Sequence, residues 1–163
     1  MATTYEKIAT TTLSSTGNIT FNSIAATYTD LRIVLVGKTN GGFTHPAIRF
    51  NSDSGSNYSN TRLNGNGSSA TSASGTSQTR INGTTDIGTP PALYSWDVFS
   101  YAGSTYKTVL LNANSDQNGS GSVERLVGLW QSTSAITSIS VFDLYGTGFG
   151  SGTTATLYGI LKA

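Results

Sequence analysis

The sequence predicts an all-β protein: an antiparallel two-sheet sandwich, jelly-roll-like, of about eight strands with one long polar excursion. Three observations carry this. Short β-branched or aromatic runs recur along the chain, each closed by Gly, Asn, Ser or Asp, the mark of strands joined by turns. No window of about eleven residues keeps apolar side chains at three- and four-residue spacing, so no amphipathic helix is encoded. Ser, Thr, Asn and Gly together fill 80 of the 163 positions, a composition suited to turns and solvated strand faces.

The elements follow in order. Residues 1–13 alternate around threonines and read as an edge strand, or as an arm spanning 1–15 that lies on a neighbour. Runs at 17–21, 30–36 and 47–50 are the first core strands. In 30–36, Leu31, Ile33, Val34, Leu35 and Val36 are nearly unbroken apolar, the pattern of a strand covered on both faces. Residues 51–91 differ, because their only large apolar side chains are Tyr58, Leu63, Ile81 and Ile87. This segment cannot build its own core and reads as a long polar excursion. It has short strands near 58–63 and 79–81 and a mobile centre at 65–69. In 93–101 alternation places Tyr94, Trp96 and Val98 on one face, with Ser95, Asp97, Phe99 and Tyr101 on the other. Runs at 106–113 and 123–131 follow, the first with Val109, Leu110 and Leu111 in succession, the second ending near Trp130. In 136–145 the apolar parity changes between Val141 and Phe142, which predicts a bulge or a strand leaving one environment for another. Residues 154–161 form the last strand. Both tryptophans sit inside apolar strand patterns and are expected in the core.

Length and charge set the outer limits. One domain over 1–163 is expected, since a chain this long buries enough surface for a core. Only 10% of residues are charged, with nine Lys and Arg against eight Asp and Glu for a net +1, so nothing electrostatic asks for a nucleic-acid partner. No apolar run approaches the length of a membrane-spanning helix, and no membrane partner is expected. The chain has no cysteine, which excludes disulfides and thiolate metal sites. The first fifteen residues lack a basic segment followed by an apolar one, so no secretory signal is expected and synthesis is cytoplasmic.

The search for chemistry returns mostly exclusions. His45 is the only histidine, it precedes a proline in a turn, and no Gly-x-Ser-x-Gly elbow offers it a nucleophile. A hydrolytic triad is not expected. A glycosidase needs two carboxylates flanking one bond; Asp97 and Asp143 are the acids embedded in apolar strands. Ordinary alternation turns both toward solvent or a neighbouring arginine, and nothing in the sequence brings them together. The loops at 114–119 and 51–55 space oxygen ligands like a calcium loop, yet each carries one acid, and Arg125 stands where a bidentate glutamate belongs. Turn chemistry explains both. The glycine-rich stretch 146–152 opens no helix and has no nearby lysine, so it is a connecting loop, not a phosphate cradle. No catalytic residue, metal ligand or cofactor is expected. Phe43, Tyr58 and Phe149, isolated aromatics in polar loops, are the residues expected to meet a ligand, because sugar sites pair an aromatic platform with hydroxyl and amide groups.

Two stretches carry a family resemblance. The first is Phe50-Asn51-Ser52-Asp53-Ser54-Gly55-Ser56-Asn57-Tyr58-Ser59, preceded by Phe21-Asn22-Ser23-Ile24 and Tyr28-Thr29-Asp30-Leu31-Arg32. The second runs from Gly128-Leu129-Trp130 through Ala135-Ile136-Thr137-Ser138-Ile139 and closes with Thr156-Leu157-Tyr158-Gly159-Ile160. In this order they resemble the small jelly-roll-like virion structural proteins of tailed bacteriophages, especially marine and cyanobacterial ones. The resemblance implies a non-enzymatic virion protein: first a capsid decoration or cement protein binding the major capsid protein, and as the alternative a tail-fibre or tail-tip receptor-binding or adaptor domain that recognises host surface glycans. It implies a homotrimer, and architectural roles for Asn51, Asp53, Gly55, Asn57, Trp130, Ile136, Ile139, Tyr158 and Ile160.

Overall fold

The computed structural model describes residues 4–161; the ends of the expected arm and of the expected domain, 1–3 and 162–163, lie outside them. Every regular element among the described residues is a strand. In chain order these are β1 (Tyr5–Thr12), β2 (Ile19–Phe21), β3 (Asp30–Gly37), β4 (Pro46–Phe50), β5 (Tyr58–Gly65), β6 (Ala70–Gln78), β7 (Ile81–Asn82), β8 (Ala92–Val98), β9 (Lys107–Asp116), β10 (Gly121–Trp130), β11 (Ile139–Asp143) and β12 (Thr154–Ile160). An eight-stranded sheet runs β1-β12-β3-β8-β9-β10-β5-β6, and a four-stranded sheet runs β2-β11-β4-β7. All pairings are antiparallel. The two sheets enclose one core, so the protein is a β-sandwich.

Alternation decides what enters that core. The large sheet sends in Leu31, Ile33 and Leu35 from β3, Tyr94, Trp96 and Val98 from β8, and Val109 and Leu111 from β9. The small sheet answers with Ile19, Phe21, Ile48, Phe50, Ile139 and Val141. Trp96 and Trp130 are both buried, as their strand patterns require. Phe50, Tyr58 and Trp130 form an aromatic cluster, with ring centroids 5.5 Å apart for Phe50–Trp130 and 6.3 Å for Tyr58–Trp130.

Four sequence expectations change. The segment 51–91 has the strands expected near 58–63 and 79–81, as β5 and β7, but adds β6, which pairs with β5 in a long hairpin that extends the large sheet, while Tyr58, Ile81 and Ile87 fill the common core. Its centre is a tight turn in which Asn66 Oδ1 accepts from the Ser68 and Ser69 amides at 3.0 and 2.9 Å. No bulge interrupts β11. The strand keeps its phase and places Asp143 inward after Ile139 and Val141. Tyr101 is buried, because a turn with Ser100 at φ 52° swings it out of the β8 register. Its hydroxyl donates to the Ala25 carbonyl and accepts from the Tyr28 amide at 3.2 Å. Finally, β3 is not covered on both faces within this chain. Its inward residues are buried while Val36 stays exposed, since the small sheet packs on only one side.

Candidate functional site

The four-stranded sheet is too narrow to cover the inner face of the eight-stranded one. Beyond it, inward positions of β5, β9 and β10 become polar: Arg62 and Asn64 follow Tyr58 and Asn60, and Ser115 follows Ala113. The segment after β7 folds over this end, and the result is an open cleft of about 660 Å³. Arg62, Asn64, Thr84, Asp86 and Gln117 line it, with Phe43 at the rim.

One buried side chain organises this region. Glu124 is 3% exposed and lies directly across β5–β10 from Asn64. Its Oε2 accepts from the Thr84 and Thr85 amides at 2.7 and 3.0 Å, and from both hydroxyls at 3.3 Å. Ser122 Oγ lies 3.1 Å from Thr85 Oγ1, and the Tyr94 hydroxyl donates to the Thr85 carbonyl. Burial first, then the charge of Glu124, holds the Tyr94 hydroxyl well above its ordinary pKa. Glu124 Oε1 has no hydrogen-bond partner among the described residues. At the rim, His45 Nε2 meets Asp86 Oδ1 at 2.9 Å and its Nδ1 lies 3.3 Å from the Tyr145 hydroxyl, so the histidine is a tucked-in turn residue.

Of the three aromatics expected to meet a ligand, the structure leaves one in place. Phe43 is 60% exposed and borders the cleft. Tyr58 and Phe149 are fully buried and are not binding-loop residues. Tyr58 is the first inward residue of β5, and its hydroxyl accepts from the Phe50 amide and donates to the Asp53 carbonyl, both at 3.1 Å. Phe149 is pinned in the core by an exchange of backbone hydrogen bonds with Gly17.

The acids also resolve differently. Asp97 lies on the outer face of β8 and pairs with Arg32 at 3.5 Å; burial raises its pKa against the pull of Arg32. Asp143 neither faces solvent nor meets an arginine. It is buried at the end of β11, where Oδ1 accepts from the Tyr145 amide at 3.0 Å and Oδ2 from Gly148 at 2.8 Å and from Thr147. The carboxylate thereby folds the glycine-rich loop, and the two acids sit on different sheets. No group of three or more His, Cys, Asp or Glu side chains is placed to hold a metal among the described residues. Asp116 accepts from the Gly119 amide at 2.9 Å, as a turn residue does.

The two stretches that carry the phage resemblance are bonded to each other. Asp53 Oδ2 accepts the Trp130 indole N–H at 2.7 Å. Asn51 donates to the Ala135 carbonyl at 2.8 Å and accepts from the Thr137 and Ser138 amides at 2.8 and 3.1 Å. Burial works against the charged form of Asp53, but the Trp130, Asn57 and Gly55 hydrogen bonds hold its carboxyl below the ordinary value.

A second surface feature is the outer face of the large sheet. Val36 and Leu93 sit side by side across β3–β8, and Leu110 and Val127 across β9–β10. Val123 and Leu63 extend the patch and are 61% and 57% exposed. Charge on the strands β3, β8, β9 and β10 of this face comes from the Arg32–Asp97 pair and from Arg125, which donates to Asn112 at 2.5 Å, and Lys7 stands beyond Arg32 across Tyr158. The apolar runs at Leu31–Val36, interrupted only by Arg32, and Val109–Leu111 signal this face in the sequence. The cleft residues Arg62, Asn64, Asp86 and Gln117 carry no such signal, because polar side chains in a polar segment look alike until register sorts them. No protein-family model, curated protein or solved structure matches the chain.

Proposed function

We propose that this protein is a non-enzymatic structural component of a bacteriophage virion, a capsid decoration protein that assembles as a homotrimer and binds the major capsid protein. The observation that carries the reading is the outer face of the large sheet. The sequence of β3, and of Val109–Leu111 in β9, has the apolar density of strands covered twice, and the single chain covers them once. Exposed apolar side chains recur across this face, with Ser95, Asn112 and Asn114 between them, and apolar surface set among polar groups is the make-up of a protein–protein interface. Packing these faces around a threefold axis supplies the missing layer with a closed symmetry. The phage resemblance and the low charge support the same reading. Decoration of a capsid needs a stable sandwich with extensive apolar and hydrogen-bonded surface, and no reaction centre. Labelling the protein on intact particles tests this: signal over the head supports a decoration role, and signal confined to the tail removes it.

A second reading places the protein in the tail as a receptor-binding or adaptor domain recognising host surface glycans. The polar cleft with Phe43 at its rim favours it.

A further inference from the structure

The cleft at the open end of the sandwich is separate from the apolar outer face, and its chemistry is of another kind. We propose that it is a saccharide-binding site, in which Phe43 stacks on a sugar ring while Arg62, Asn64, Asp86 and Gln117 bond its hydroxyls. The cleft of about 660 Å³ is within the range that holds small ligands and suits an oligosaccharide of a few rings.

Sugar hydroxyls come in adjacent pairs, and planar groups bind such pairs with two parallel hydrogen bonds. Here the guanidinium of Arg62, the amide of Asn64 and the carboxylate of Asp86 converge on one space. Among the described residues, the side chains of Arg62 and Asn64 have no hydrogen-bond or ion-pair partner. Phe43 is 60% exposed and offers the apolar surface that the C–H face of a pyranose needs. One arginine and one aspartate, the latter held through Oδ1 by His45 at 2.9 Å, give too little positive charge to hold a nucleic-acid backbone, and a mostly polar lining suits a polar ligand.

Glu124 supplies the independent observation that the wall is built. A buried carboxylate with no cation beside it is costly, and here its Oε2 fixes Thr84, which lines the cleft, and Thr85 beside it. Its Oε1 is unpartnered in the same buried wall. Rigid placement of the surrounding groups is what a binding site requires. Glu124 is a positioning residue.

This inference shares its ligand class with the tail reading, but binding is a property of the free protein. The test is titration of the isotope-labelled protein, followed by amide NMR, with a panel of gluco-, manno-, galacto- and N-acetylglucosamine oligosaccharides together with uronate-containing ones. The expected result is saturable shifts at Phe43, Thr84 and Gln117 with at least one probe. Phe43→Ala and Arg62→Ala should each weaken that binding at least tenfold with an unchanged thermal midpoint. Glu124→Gln should weaken it severalfold while speeding hydrogen exchange at the Thr84 and Thr85 amides. No shift with any probe at millimolar concentration, or binding that Phe43→Ala and Arg62→Ala leave intact, overturns the site. Either failure leaves the head-or-tail question to particle labelling.

Discussion

Asp53 shows how a residue that reads as turn chemistry holds a core together. Its carboxylate receives the indole N–H of a buried tryptophan and the Gly55 amide, at 2.7 and 2.9 Å. Replacing it with Ala leaves that indole unbonded, and a hydrogen bond to a charged group is worth roughly 1.5–3 kcal/mol. Denaturant melts of Asp53→Ala should show a loss of this size and a shift in Trp130 fluorescence; an unchanged midpoint contradicts the role. Because the folded carboxyl titrates below its ordinary value, its contribution is present above the unfolded pKa of 3.8 and is lost as pH falls through the lower folded one. Asp53→Asn should flatten that acid limb. Tyr58 gives the opposite sign. Burial pushes its hydroxyl up to about 12, so its contribution is complete below pH 10 and fades as pH climbs toward 12, on the order of 2–3 kcal/mol. Tyr58→Phe should remove that alkaline loss, and an alkaline limb identical to wild type would show that Tyr58 is not its source.

At the scale of elements, close approach between strands and loops sets the tolerance to change. A methyl group at Gly159 on β12 would lie 2.3 Å from the Tyr28 ring, whereas one at Gly65 would meet only Val123 at 3.8 Å. Gly159→Ala should therefore cost about 1–3 kcal/mol, while Gly65→Ala should stay within about 0.5 kcal/mol, both read from thermal melts. Equal effects at the two positions would contradict the packing of Tyr28 over β12. The same elements explain what was legible. The core strands 30–36, 93–98 and 107–113 announce themselves, because alternating large apolar residues match the faces they occupy. β6, and with it the β5–β6 hairpin, does not, because Ser, Thr, Ala and Gly pair well in a sheet while offering no apolar pattern, and this strand shows only through its partner. Asp143 broke the apparent phase of β11 for a related reason: a carboxylate satisfied by loop amides can take an inward position that the apolar pattern reserves for a hydrophobe.

At the scale of the whole molecule, the two sheets account for one core and leave two unequal surfaces. The polar end carries the cleft, which sequence could not assemble because its residues come from loops and hairpins distant along the chain. The apolar outer face was legible in β3 and β9, but only as an expectation that both sides would be covered. Covering it with neighbouring copies satisfies that expectation, and because the face holds one ion pair and Arg125, salt should disturb it little. Chelators should likewise leave the thermal midpoint unchanged, since the Asp53 and Asp116 loops are closed by their own hydrogen bonds. The central claim is tested most directly by light scattering on the purified protein, wild type beside a Leu93→Lys, Val127→Lys double variant, at low and high salt. The account predicts three times the 17.0 kDa of one chain for wild type at both salts, and a folded monomer for the variant. A wild-type monomer, or a trimer that the two lysines leave intact, would contradict it.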